Sequence, residues 1–186
     1  LAYFADTRGR LVTEMSVMRW AEDRFTLITA AVAQWHDREL LLATKPDGIS
    51  FADRTTEVST VIVSGPKSRE LMSVISDGDL SLPWLSLQEA TVAGRSARLA
   101  RVSFAGELGW EIHAAMDAIP AIYAAVLAEG AKPFGMYALN AMRIEKGYKT
   151  WKGDLSTDYT LFEAGLDRFV RLGKDLDFPG KAALQV

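Results

Sequence analysis

The chain contains no cysteine. That excludes disulfides, thiolate zinc sites, iron–sulfur ligation and cysteine nucleophiles, and it fits a reducing compartment. Histidine is nearly as scarce, with only His36 and His113 in 186 residues. His36 sits among Gln34, Asp37 and Arg38 in a helical stretch and reads as exposed, whereas His113 reads as the end of a strand. Nothing near either one in sequence completes a triad or a ligand set, so no metal site is expected. No apolar run approaches the ~20 residues of a membrane span. The opening LAYFADTRGR has no charged-then-apolar signal pattern. A net charge of −3, with basic residues scattered, excludes electrostatic attraction to nucleic acid or an anionic membrane. Phosphate-cradling and nucleophile-elbow motifs are also missing: no G-x-G-x-x-G follows a strand, and there is no Walker A loop or G-x-S-x-G.

What remains describes an ordinary globular chain. Apolar residues make up 49% and charged residues 24%, enough for one large domain or a tight pair of lobes with a buried core. The start lacks an initiator methionine and reads as a strand, as expected of a fragment of a longer chain. Leu11 to Trp20 and Phe25 to Ala30, separated by the polar Ala21-Glu22-Asp23-Arg24, read as a hairpin. Val32 to Ala43 reads as a helix, with Val32, Trp35, Leu40 and Leu41 as its apolar residues and with Pro46 and Gly48 ending it. A strand is expected at Val58 to Val63, then a helix from Ser64-Gly65-Pro66 to Ile75 with Pro66 in its first turn. This junction has the free N–H groups to hold an anion, but Pro66 removes one donor, and a plain strand-to-helix connection is the better reading. Strands follow near Leu87 to Val92, Ala97 to Phe104 and around Trp110 to Ile112. Helices are expected at Asp117 to Ala128 and Tyr137 to Lys146, with a last strand at Arg168 to Leu172 in an otherwise looped remainder to Val186. Strands and helices mix without βαβ alternation. The expected class is therefore α+β, with mixed or antiparallel sheets and flanking helices.

Two segments concentrate polar chemistry. In Ser103 to Ile112, two glycines permit a tight turn and close approach of another molecule, while two carboxylates and two aromatics crowd together. Alternation places Glu111 on the strand face opposite Trp110. From these residues alone, a solvated hairpin turn and a cleft-edge site both remain open. In Tyr137 to Gly165, Asn140, Arg143, Glu145, Tyr148, Trp151, Asp154, Asp158 and Glu163 lie in an aromatic-rich stretch, which structural ion pairs would also explain.

At these segments the sequence resembles the glycine cleavage T-protein family, in the form carried by dimethylglycine and sarcosine dehydrogenases. FAGELGWEIH resembles the family's tyrosine-threonine-glycine-glutamate run. GMYALNAMRIEKGYKTWKGDLSTDYTLFEAGL resembles its helix and following loop, and RGRLVTEMSVMR the strand after its glycine pair. VIVSGPKSRELM and DFPGKAAL match further segments in the same order. Together the five span nearly the whole chain, so residues 1–186 are expected to form one folate-binding domain.

The resemblance implies a site and an activity. Glu111 matches the glutamate that binds the pterin ring of tetrahydrofolate; a carboxylate accepts a ring N–H and an exocyclic amine side by side. Phe104 and Trp110 would add apolar or stacking surface. Thr13 stands where the T-protein has its aspartate, and Glu14, the adjacent acidic position, becomes the candidate catalytic carboxylate. Arg143 and Glu145 would support the pocket structurally. Other departures are Phe104 for the motif tyrosine, Lys152 for the glycine after Trp151, Leu161 for a proline and Leu139 for an arginine. In the dehydrogenases, a separate FAD domain oxidises an N-methyl amine, and tetrahydrofolate captures the carbon as methylene-tetrahydrofolate. The implied partners are folate, a small N-methyl amine or related one-carbon donor, and an upstream flavin domain, in the cytoplasm or the mitochondrial matrix of a eukaryote. Two alternatives stand beside this: a stand-alone folate-dependent aminomethyl- or methyltransferase, and a non-catalytic folate-binding or scaffold module.

Overall fold

The computed structural model describes residues 1–185; Val186, where the looped remainder was expected to end, lies outside the described residues. The chain forms two compact units. One combines residues 1–51 with the chain from Lys149 onward, and the other is the unbroken stretch Ala52–Tyr148.

The first unit opens with strand β1 (Ala2–Ala5), followed by β2 (Leu11–Arg19) and β3 (Phe25–Ile28). They form an antiparallel sheet in the order β1-β2-β3. Period-two burial along β2 turns Leu11, Thr13 and Met15 inward and leaves Val12, Glu14 and Ser16 on the other face. Helix α1 (Gln34–Thr44) matches its expectation in position but not in its buried face. Trp35 is 70% exposed, and Asp37 is the buried residue. The C-terminal segment completes this unit's core. Trp151, Leu155, Leu161, Leu166 and Leu184 cluster with Leu11, joined by bridges between Arg10 and Thr160 and between Trp151 and Leu155. The strand expected at Arg168 to Leu172 is corrected: Asp167–Phe169 is a 3-10 turn. Phe169, Val170 and Leu172 pack against the cluster. Their apolar character reflects burial rather than pairing, since no ladder partner lies alongside among the described residues.

The second unit is regular. It contains β4 (Val58–Ser64), α2 (Ser68–Ile75), β5 (Leu87–Val92), β6 (Arg95–Ala100), β7 (Gly109–Ala115), α3 (Ile119–Ala128) and α4 (Met136–Glu145). The strands make one antiparallel sheet in the order β4-β7-β6-β5. Its apolar face carries Val61, Val63, Leu99, Trp110 and Ile112, packed with Met72 of α2 and Ile122 and Val126 of α3. Met72, Ile112 and Ile122 are fully enclosed, each stabilising the fold by about 1.5–3 kcal/mol relative to exposure. Helix α2 begins after Pro66, because Gly65 has φ +128° and a turn forms there, with the Ser68 N–H donating to the Gly65 carbonyl. The strand expected through Phe104 ends at Ala100, where the Arg101 N–H turns to the Ser86 carbonyl. Phe104 therefore lies in a loop. The β5–β6 hairpin turns on Ala93 and Gly94, both at positive φ, with Val92 and Arg95 paired across it, as a two-residue primed turn requires.

Candidate functional site

In the second unit, β7 positions Glu111. Its neighbours Trp110 and Ile112 point into the core, so the pleat sends Glu111 and His113 to the opposite sheet face. Register places Ile62 of β4 and Ala100 of β6 beside Glu111, and Thr60 and Arg98 beside His113. The Glu111 side chain is 22% exposed, while that of His113 is 8% exposed. Glu111 Oε2 lies 3.2 Å from His113 Nε2, and His113 Nδ1 lies 2.8 Å from Thr60 Oγ1. The line thus runs from hydroxyl to imidazole to carboxylate. The Nε2 atom is buried and has no aligned hydrogen bond. Leaving such a group unsatisfied costs about 1–3 kcal/mol, which favours its approach to the carboxylate. His113 is interior to β7 rather than at its end, and the groups beside it are ones that local sequence did not associate with it.

The loop before β7 is shaped by its glycines. Gly106 has φ +81°, and a Cβ there would lie 2.6 Å from Lys146 Cγ. At Gly109 a Cβ would meet the Val63 carbonyl oxygen at 2.8 Å, so the β4 backbone requires glycine at the start of β7. A cavity of about 430 Å³ opens beside this loop, lined by Trp84, Arg101, Ser103, Glu107, Lys146 and Tyr148 among others. Phe104 stacks near-parallel with Tyr148, ring centroids 6.3 Å apart. Trp110 is a core residue at 1% exposure, with the Arg69 guanidinium 5.5 Å from its ring centroid. It therefore backs the strand from the face opposite Glu111. Arg143 is buried, donating from Nε to Asn140 Oδ1 at 2.9 Å and from Nη1 to the Tyr148 carbonyl at 2.8 Å. It ties the end of α4 to the loop that carries Tyr148. Glu145 is exposed.

In the first unit, Thr13 and Glu14 take opposite faces of β2. Thr13 is 1% exposed, and its hydroxyl has no hydrogen-bond partner among the described residues. Glu14 pairs in register with Tyr3 of β1 and accepts from the Tyr3 hydroxyl and the Trp151 backbone N–H. Burial outweighs these bonds and raises the Glu14 carboxyl above its ordinary value of 4.5. Burial, with the adjacent Glu14, also pushes the Tyr3 phenol up. Among the described residues, no group of three or more His, Asp or Glu is placed to hold a metal ion. No helix there is long and apolar enough to cross a membrane.

The family described as "GCVT N-terminal domain" matches residues 1–174. The chain belongs to this family. Dimethylglycine dehydrogenase from Rattus norvegicus, a mitochondrial protein, is 31% identical over 195 residues, spanning all of this chain and 23% of its own length. Human sarcosine dehydrogenase, also mitochondrial, is 34% identical over 164 residues, covering 83% of this chain and 18% of its own. An aminomethyltransferase from Listeria innocua is 30% identical over 178 residues, or 95% of this chain and 49% of its own. The chain thus spans about a quarter of the dimethylglycine dehydrogenases it matches and half of the aminomethyltransferase. Heterotetrameric sarcosine oxidase from Corynebacterium sp. U-96 shares the fold, with a TM-score of 0.52 at 16% identity over 72% of this chain and 70% of that one. The expected α+β class, with antiparallel sheets and flanking helices, matches the GCVT domain described above.

Lys152, where the resemblance expected glycine, has φ +66°. Only glycine takes that conformation without strain.

Proposed function

We propose that this GCVT domain binds tetrahydrofolate and serves one-carbon transfer within a flavin-linked enzyme of the dimethylglycine or sarcosine dehydrogenase kind. The single observation that carries the reading is Glu111, whose carboxylate is partly exposed with Oε2 3.2 Å from His113 Nε2, in a chain that matches its family over residues 1–174. Such a carboxylate has lone pairs free for the paired N–H donors of a pterin, so the residues present fit the group. When bound, tetrahydrofolate supplies the nucleophilic nitrogen that accepts the carbon. Glu111 fixes the orientation of the ring, and Trp110 stiffens the strand behind it. Positioning of this kind supplies a large part of the acceleration for a bimolecular step. Phe104, stacked with Tyr148, adds apolar surface where the loop turns. Glu14, with its raised pKa, takes the proton-handling role: it holds or releases a proton at higher pH than an ordinary carboxylate. Thr13, enclosed beside Leu11 and Met15, shapes the strand beneath it.

The oxidative half of such an enzyme belongs to an FAD domain, for which we infer a position upstream, and the one-carbon donor is a small N-methyl amine. The two dehydrogenase relatives are mitochondrial, which extends the proposal to a matrix location in a eukaryote. Calorimetric titration of the protein with tetrahydrofolate tests the reading. Binding that is lost or weakened at least tenfold in Glu111→Ala supports it, and equal binding by that variant overturns it.

A further inference from the structure

Glu111 is not an isolated carboxylate, and its surroundings determine how it can be used. His113 lies on the same face of β7, two residues on, and Thr60 lies across the β4–β7 ladder from His113. A hydroxyl 2.8 Å from Nδ1 can donate to it or accept from it. If Nδ1 carried the proton, the Nε2 lone pair would face the Glu111 carboxylate across 3.2 Å, and the contact would be repulsive. With the Thr60 hydroxyl donating to Nδ1, the proton rests on Nε2 and meets Glu111 Oε2. The attractive arrangement leaves the buried Nε2 in electrostatic contact with the carboxylate at 3.2 Å rather than in an aligned hydrogen bond. A second residue that orients a ligand-binding group in this way restricts its rotamer.

We infer that His113, with its tautomer set by Thr60, is the positioning residue of Glu111: it holds one carboxylate oxygen so that the other is presented to the ligand. The inference rests on the folate reading for the identity of that ligand, but not for the coupling itself. The remaining charged groups on this sheet face are Arg98 of β6, opposite His113, and Glu89 of β5, whose carboxylate lies 3.5 Å from Arg98. That pair supplies a nearby counter-charge and not a donor to Glu111. On the β4 side Val58, Thr60, Ile62 and Ser64 share the face, and none of them ionises. His113 is therefore the group that contacts the Glu111 carboxylate from within its own strand.

A double-mutant cycle on the whole protein, read as the tetrahydrofolate dissociation constant by calorimetry, tests the coupling. His113→Leu is expected to weaken binding about tenfold in the parent and to have no further effect in Glu111→Ala, because the two side chains act as one. His113→Gln, which places an amide N–H near the position of Nε2, restores binding to within about threefold. Thr60→Val weakens it about threefold, and Thr60→Ser does not. Additive losses in the cycle, or equal losses for His113→Leu and His113→Gln, would reduce His113 to a packing residue and overturn the inference. If His113→Leu does not fold, the Thr60 and His113→Gln variants decide: tight binding by Thr60→Val or weak binding by His113→Gln sinks it. Indifference of binding to Glu111→Ala would instead overturn the pterin reading of the preceding subsection. A Glu111 effect without a His113 effect would overturn only the coupling.

Discussion

The two units reach stability by different routes. Residues 52–148 form a contiguous unit in which each strand pairs with a continuous ladder and two helices cover one sheet face. The other unit joins segments that flank this stretch in the chain, and six of the eight buried residues of its core cluster come from looped sequence after Lys149. Unsatisfied buried polar atoms occur in both units, with Arg101 Nε and His113 Nε2 in the contiguous one. The Thr13 hydroxyl and Trp151 Nε1 have no hydrogen-bond partner among the described residues, and Lys152 is held in a left-handed conformation. Regular ladders satisfy backbone groups as they form, while a core assembled from loops must satisfy each group separately.

The largest expected effect contrasts the two buried tryptophans. Trp110→Ala removes an enclosed ring from the sheet core and should cost about 3–5 kcal/mol in denaturant unfolding. Trp151→Phe keeps an aromatic ring and deletes an unsatisfied N–H, so its cost should stay below about 1 kcal/mol. Similar costs for the two would show that the looped core is packed as tightly as the sheet, and the contrast between the units would fail.

A gain is expected at Lys152. Replacing it with glycine relieves the positive φ and should stabilise the protein by about 1 kcal/mol, seen as a higher midpoint at unchanged slope. Loss of stability instead would mean that the lysine's contact over the Trp151 ring, at 5.5 Å, outweighs the strain.

The smallest effect is a dependence on pH. The folded state raises the Glu14 carboxyl above 4.5, chiefly through burial. Between that ordinary value and the raised one, the native state binds more protons than the unfolded chain, so stability falls as pH rises through this window. Glu14→Gln removes the contribution. Its stability relative to the parent should be unchanged well below pH 4.5 and should grow as pH rises above it. Thermal melts across pH 4 to 8 check this, and a difference that shrinks with rising pH would assign the wrong sign to Glu14.

Much of the second unit was legible from periodicity. Val58 to Val63, Leu87 to Val92 and the segment around Trp110 read as strands because their apolar and β-branched runs are bounded by turn residues. Alternation from Trp110 already set Glu111 on the other face. The same period of two, carried one step further, would have put His113 beside Glu111. Thr60 was out of reach, since only the ladder register brings β4 to that position. Local pattern was least informative after Lys149. Apolar residues at Phe169, Val170 and Leu172 look alike whether they join a ladder or pack as loop, and the core on which they pack is assembled from distant segments.

By itself, the sequence determined the α+β class, the order of most elements, the family resemblance and the opposite facings of Trp110 and Glu111. Those follow from side-chain period and turn chemistry, which act over a few residues. Only the tertiary structure decided that Trp35 is exposed while Asp37 is buried, that Lys152 is strained, and that Thr60 of β4 lies against the histidine beside Glu111. Each of these depends on which distant segment packs alongside, and local preference along the chain carries no record of that.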